Sequence, residues 1–357
     1  MKKIVGGFVA ALGVAMVLQL PVLAQDQAAG GRQGGRGGRA GGAAAPAGFP
    51  TKEEFENSKD AQMHVANAMK IGGKDMADTA KWFCTATGPQ RVALARQAAG
   101  LPPLPVETLG PIKLFDNLTY IGFNSVGAWI VPTSQGLILF DTLNSTDDAM
   151  KVIEPEIMKA GYDPAQIKYI ILGHGHADHF GGANYLQHKY GARVLAAMPD
   201  WAAIERGGRG ANVPGTKVDL DVTNGQKLTL GDTTVTLIRL PGHTPGTIGM
   251  IVPAKFKGQT HNVAIMSGTQ MPDQASLDAF KQVFDDIAKK MNVESFLGSH
   301  PDILMNTQPM MESVRDKYPT GNHPLLLSRD HANRYMDIML ECARARLAAQ
   351  GRLTSTN

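Results

Sequence analysis

The chain has 357 residues, with 35 Lys and Arg against 32 Asp and Glu, and only 2 Cys. That length suits one large α/β unit or two average domains, and two cysteines exclude both a disulfide scaffold and a thiolate metal cluster. Setting aside Lys2, Lys3, Arg32, Arg36, Arg39 and Asp26 near the N-terminus leaves 30 basic and 31 acidic residues, a balance that gives the body no electrostatic footprint for nucleic acid.

Lys2 and Lys3 precede an apolar run from Ile4 to Leu23 that closes on Val22-Leu23-Ala24, the pattern of a cleavable export signal. Residues 1–24 are read as that signal, which places the protein in the periplasm or outside the cell. An uncleaved anchor is the alternative, since the run is nearly long enough to span a bilayer; the membrane would then be met through this segment alone. Residues 25–50 are Gly, Ala and Arg with almost nothing to bury, as in a flexible linker.

Residues 51–105 form an N-terminal helical segment. Apolar Phe55, Met63, Val65, Met69, Ile71 and Met76 predict two or three short helices, broken at "IGGKD" and closed by "LARQAAGLPPLP". His64 reads as an ordinary helix residue. In an oxidising compartment Cys84 and Cys342 can pair; two separate buried thiols are the equal alternative, because their spatial distance is not given by sequence.

Residues 106–357 change period. "IKLFDNLTYIGF", "GAWIVPT" and "GLILFDT" predict antiparallel strands, followed by a helix over Thr146 to Ala160 and the strand "IKYIIL". The alternation repeats with a helix from about Phe180 to Tyr190, strand "ARVLAA", a helix from Asp200 to Glu205, and strands "KLTL" and "TVTLIRL". Strands near Gly246 to Val252 and Asn262 to Met266, a helix from Ala275 to Lys290, strand "SFLG" and two closing helices complete the chain. The last helix, Ser328 to Gln350, carries an apolar face for packing on the body. Two α/β halves of this kind, each a sheet with helices on one side, bury both apolar faces when stacked as an αββα sandwich. "GGRGAN" at Gly207 to Asn212 reads as a loop.

"ILGHGHADHFGG" follows the strand "IKYIIL" and puts His174, His176, Asp178 and His179 within six residues. On an extended loop residues two apart point the same way, so His174 and His176 reach one ion together while Asp178 and His179 project past them toward a second. Imidazole and carboxylate without thiolate suit zinc, with iron or manganese as lesser fits. The motif needs further ligands, and two stand at strand ends: His243 in "RLPGHTPGT" and His300 in "SFLGSHPD".

These three motifs in this order resemble the metallo-β-lactamase superfamily, over about Ile112 to Pro301. The resemblance implies an αββα sandwich with two zinc ions at one edge. It assigns His174, His176 and His243 to the first ion, and Asp178, His179 and His300 to the second. That second set looks like the third subclass of metallo-β-lactamases. Glyoxalase-like members carry a bridging aspartate after the Pro-Gly-His-Thr turn, whereas here "AIMSGTQMPD" has no acidic residue before Asp273. Ser267 falls where the third subclass has a serine supporting the catalytic water, and Met266 departs from the acidic residue usual before it. Asp141, ending "LILFD", stands where the superfamily has an aspartate supporting the metal loop; a turn-capping role is the alternative.

The implied activity is hydrolysis by zinc-activated water, with Asp178 orienting the nucleophile and a small-molecule substrate, a β-lactam amide before all others. A lactone, thioester or other ester is the alternative, favoured by Met266, by the N-terminal helical segment and by the methionines at Met271 and Met305 to Met311, although core filling suits most of these better. A non-catalytic zinc module is the weakest reading, because structural sites are closed four-ligand cages. His188, His261, His323 and His331 lack ligand-spaced partners and read as surface or structural residues.

Overall fold

The computed structural model describes residues 48–89, 96–97, 99–208, 213–304 and 307–354. Residues 1–24, read from the sequence as an export signal, nearly all of residues 25–50, read as a linker, Met305 and the tip of the "GGRGAN" loop lie outside them.

Among the described residues the strands form two sheets. The first has the order β1 (Ile112–Phe115), β2 (Leu118–Gly122), β3 (Gly127–Thr133), β4 (Gly136–Phe140), β5 (Ile167–Ile171), β6 (Arg193–Ala196) and β7 (Leu220–Asp221). Its first four strands are an antiparallel meander, and from β4 onward neighbours run parallel, joined through helices. The second sheet runs β12 (Val293–Gly298), β11 (Gln259–Met266), β10 (Ile248–Phe256), β9 (Thr233–Arg239) and β8 (Gln226–Leu230), with only the β11–β12 pair parallel.

Strand residues alternate between two apolar layers, as the period of two requires. Ile171 and Leu195 of the first sheet meet Leu237, Met250, Val252, Val263 and Ile265 of the second in the central core. Their neighbours point outward: Ile170 and Val194 pack with Ile153, Ile157, Phe180 and Leu186 of the helices covering the first sheet. On the far side, Ile251 and Ala264 pack with Leu277, Phe280, Met336 and Met339. The four-layer αββα order expected from the sequence is therefore present. Met271 and Met311 are buried in these cores, so core filling accounts for them.

The N-terminal helical segment comprises α1 (Lys52–Asn57), α2 (Lys59–Gly72) and α3 (Ala77–Phe83). Thr51 caps α1 in a capping box with Glu54, and Ser58 caps α2. Ala68, Met76, Ala80 and Phe83 join the outer core of the second sheet, and a Cys84–Cys342 disulfide ties the end of α3 to the last helix. His64 is buried with its Nδ1 2.8 Å from Glu341 Oε2, a partner on that last helix. It is a structural residue, as expected.

The remaining helices follow the predicted order. The 146–160 helix runs as Thr146–Asp148, Ala149–Ile153 and Glu154–Lys159 with a π turn in its middle (α4). Then come α5 (Ala177–Phe180), α6 (Ala183–Tyr190), α7 (Met198–Glu205), α8 (Gln274–Val283), α9 (Gln308–Asp316) and α10 (Arg329–Ala349), the last capped by Ser328.

Candidate metal centre

Every functional side chain named from the sequence sits just past the C-terminal end of a strand. Asp141 follows β4, His174 and His176 lie in the turn after β5 with Asp178 and His179 in the short helix α5 directly behind it, His243 follows β9, Ser267 follows β11 and His300 follows β12. Backbone hydrogen bonds join the two sheets at this edge, from Ile248 N–H to Gly173 O at 2.8 Å and from Gly127 N–H to Ser299 O at 2.8 Å. The parallel pairs β4–β5 and β11–β12 thus bring loops distant in sequence to one place.

The six expected ligands converge there in two sets. His174 Nε2 lies 3.1 Å from His176 Nδ1, which is 3.0 Å from His243 Nε2. In the second set, His179 Nε2 lies 3.2 Å from His300 Nε2, and Asp178 Oδ2 is 3.7 Å from the one and 3.6 Å from the other. Ligands about 2.0–2.1 Å from a tetrahedral zinc stand roughly 3.3 Å apart, and the spacings in both sets are of that order. The donor sets fit two such ions, three protein ligands each.

Protonation agrees. Burial, reinforced by the neighbouring imidazoles, holds His174 well below the ordinary histidine range. Burial also brings His243 down to about 4, against a smaller opposing contribution from its Gln270 hydrogen bond. Neutral imidazoles are what metal ligation requires.

The second nitrogen of each ring fixes the first. His179 donates Nδ1–H to Asp141 Oδ2 at 2.8 Å, His243 donates to Gln270 Oε1 at 3.1 Å, and His300 donates to Ser125 O at 2.6 Å. In each case Nε2 is left as the lone-pair donor facing its set. Asp141 is the hub: buried, with φ +64°, it also accepts from Gly173 N–H at 2.6 Å and from Ser299 Oγ. The supporting role, rather than a turn cap, describes it.

Ser267 lies beside the first set. Its Oγ is buried 3.0 Å from His174 Nδ1, 3.3 Å from His179 Nδ1 and 3.4 Å from Asp141 Oδ2. It stands on the Nδ1 side of the His174 ring, where it holds that imidazole in place. Gly173 makes room for it, since a Cβ there would come within 2.0 Å of the hydroxyl.

Exposure divides the ligands. His174, His179 and His300 are buried, whereas His176, Asp178 and His243 reach the surface. The remaining histidines bond elsewhere: His188 to Asn184 O, His261 to Glu294, His323 to Leu114 O and His331 to Asp75. Three supporting groups carried no signal in the sequence. Ser125 acts through its carbonyl, which no residue type announces, and Gln270 is three residues past Ser267 with no spacing rule to mark it. Asp200 reads from the sequence only as the start of a predicted helix; it lies in the first turn of α7 and contacts both ligand loops.

Two stacked sheets with His and Asp sets at their C-terminal edge define a metal-binding αββα domain. Residues 121–254 match the model of the metallo-β-lactamase superfamily. The subclass B3 metallo-β-lactamase BJP-1 of Bradyrhizobium japonicum is similar in structure, with 27% identity and a TM-score of 0.52 over 70% of this chain and 91% of that one. A metallo-β-lactamase of Cronobacter sakazakii is 23% identical with a TM-score of 0.56, over 70% and 97% of the two chains. In sequence, the cytoplasmic hydroxyacylglutathione hydrolase of Arabidopsis thaliana is 35% identical over 132 residues, 34% of this chain and 46% of that protein. The chain spans less than half the length of each of four hydroxyacylglutathione hydrolases that it resembles in sequence.

Proposed function

We propose that the protein is an exported binuclear zinc hydrolase whose substrate is a β-lactam amide. The observation that carries this reading is the position of His300: its Nε2, 3.2 Å from His179 Nε2 and 3.6 Å from Asp178 Oδ2, completes an Asp-His-His second set without a bridging carboxylate after the His243 turn. His174, His176 and His243 hold the first ion, and Asp178, His179 and His300 the second. Zinc held there would supply a Lewis acid for the scissile carbonyl and lower the pKa of a bound water toward 7. The substrate enters over His176, Asp178 and His243, the exposed members. Asp178, with its side chain 26% accessible, would orient the attacking water. Asp141, Ser267, Gln270 and the Ser125 carbonyl keep the imidazoles in their ligating tautomers. The export signal supports a periplasmic or secreted location, and the Cys84–Cys342 disulfide accords with an oxidising compartment.

A thioester or ester substrate is the second reading, favoured by the sequence likeness to hydroxyacylglutathione hydrolases. Purified, zinc-loaded protein is to be assayed on a penicillin, a carbapenem, an acyl-homoserine lactone and a hydroxyacylglutathione, with and without chelator. Chelator-sensitive opening of the β-lactam ring is the expected result. Turnover of the thioester or lactone alone selects the second reading, and turnover of none leaves a zinc-binding module.

A further inference from the structure

We propose that Asp200 is the positioning residue of the three-histidine set, joining the loop of His174 and His176 to the turn of His243 and so setting how tightly that set holds its ion. The inference rests on the metal reading above.

Asp200 is buried at the start of α7. Its Oδ2 accepts Gly175 N–H at 2.8 Å, the peptide between the two histidines, and the Thr244 hydroxyl at 2.5 Å, adjacent to His243. Its Oδ1 accepts Gly246 N–H at 3.0 Å. Thr247 Oγ1 extends the network by accepting Thr244 N–H at 2.9 Å and lying 3.0 Å from Thr244 Oγ1. Closeness of approach depends on glycine at both contacts: a Cβ on Gly246 would meet Asp200 Cγ at 2.3 Å, and one on Gly175 would meet its Cβ at 3.2 Å. One carboxylate thus satisfies donors from two loops that each carry ligands of the same ion.

The second set hangs on other supports. His179 O accepts from Thr142 N–H at 2.7 Å and from Thr142 Oγ1 at 3.1 Å, Gly181 N–H donates to Leu143 O at 2.9 Å, and Asp141 holds the His179 ring. None of these bonds runs through Asp200. The bond from Ile248 N–H to Gly173 O keeps the sheets joined independently of it. Loss of the carboxylate therefore loosens the three-histidine set in particular.

The test measures zinc affinity of the full chain by competition with a chromophoric chelator in two backgrounds. His300→Ala leaves the three-histidine set intact, and His243→Ala leaves the Asp-His-His set. Adding Asp200→Asn, which turns an amide N–H2 toward the same donors, is expected to weaken zinc in the His300→Ala background about 10–100-fold, the usual effect of losing a partner behind a ligand. In the His243→Ala background affinity should stay as it was. Thr244→Val, which removes one arm and no charge, should give a smaller fall in the first background, and Thr244→Ser should restore it. Equal weakening in both backgrounds, or unchanged affinity in the first with both Asp200→Asn and Thr244→Val, overturns the proposal. Absence of zinc binding by the unsubstituted protein is a different outcome, and it overturns the metal reading together with this one.

Discussion

His179 donates its Nδ1–H to Asp141 Oδ2 across 2.8 Å, and neither side chain is exposed. The pair links a predicted ligand to the strand end that precedes it, and the same carboxylate supports the backbone of Gly173. Asp141→Ala removes the acceptor for several buried donors at once. The expected cost is about 1–3 kcal/mol for each donor left without a partner, with weaker binding of the second ion. A lowered thermal midpoint together with zinc content falling toward one per chain checks this; two zinc ions held at unchanged affinity would refute it.

His243 bears on the first set in the same way, because it alone links the turn after β9 to the His174–His176 loop through ligand atoms, 3.0 Å from His176 Nδ1. His243→Ala should halve the bound zinc and reduce turnover more than about a hundredfold, beyond the 10–100-fold typical of partners behind the ligands. Metal analysis of the purified variant decides the matter, and unchanged zinc content would refute the ligand assignment.

The candidate ligands were legible in the sequence because metal chemistry restricts them to a few residue types and the family resemblance marks their motifs, and the αββα order because strand and helix periods alternate cleanly along residues 106–357. The sequence was silent on what holds the ligands. The resemblance gave Ser267 a role in supporting the catalytic water, whereas its hydrogen bond to His174 depends on how β11 lies against Gly173, a contact between sheets with no linear signature. Asp200 and Gln270 reach the site only once the strands are stacked. The pairing of Cys84 with Cys342 also depended on distance in space, and was settled by the packing of α3 on α10.

That disulfide gives a further expectation. It closes a sequence separation of 258 residues, and removing a native bridge typically costs about 2–5 kcal/mol. The Cys84–Cys342 bridge lies at the outer helical layer, on the opposite face of the second sheet from the central core. Replacing both cysteines with serine should lower the thermal midpoint and loosen α1–α3 to proteolysis while zinc content stays the same. Loss of zinc without loss of stability would contradict the separation of the two regions.

Glu156 in α4 supplies a pH dependence unrelated to the metal ligands. Its buried carboxyl accepts Gly122 N–H at 2.7 Å, yet burial outweighs that bond and raises its pKa from 4.5 to about 7. The folded chain therefore retains a proton that the unfolded chain releases between these values. The contribution to stability is complete below about 4.5 and is lost as pH rises through about 7, by roughly 2 kcal/mol once solvent screening is allowed for. Glu156→Gln keeps a carbonyl to accept the Gly122 N–H and removes the titration. Denaturant unfolding of wild type and variant from pH 4 to 8 should show the variant gaining on the wild type as pH rises through this window; parallel curves would show that Glu156 titrates as it does in the unfolded chain.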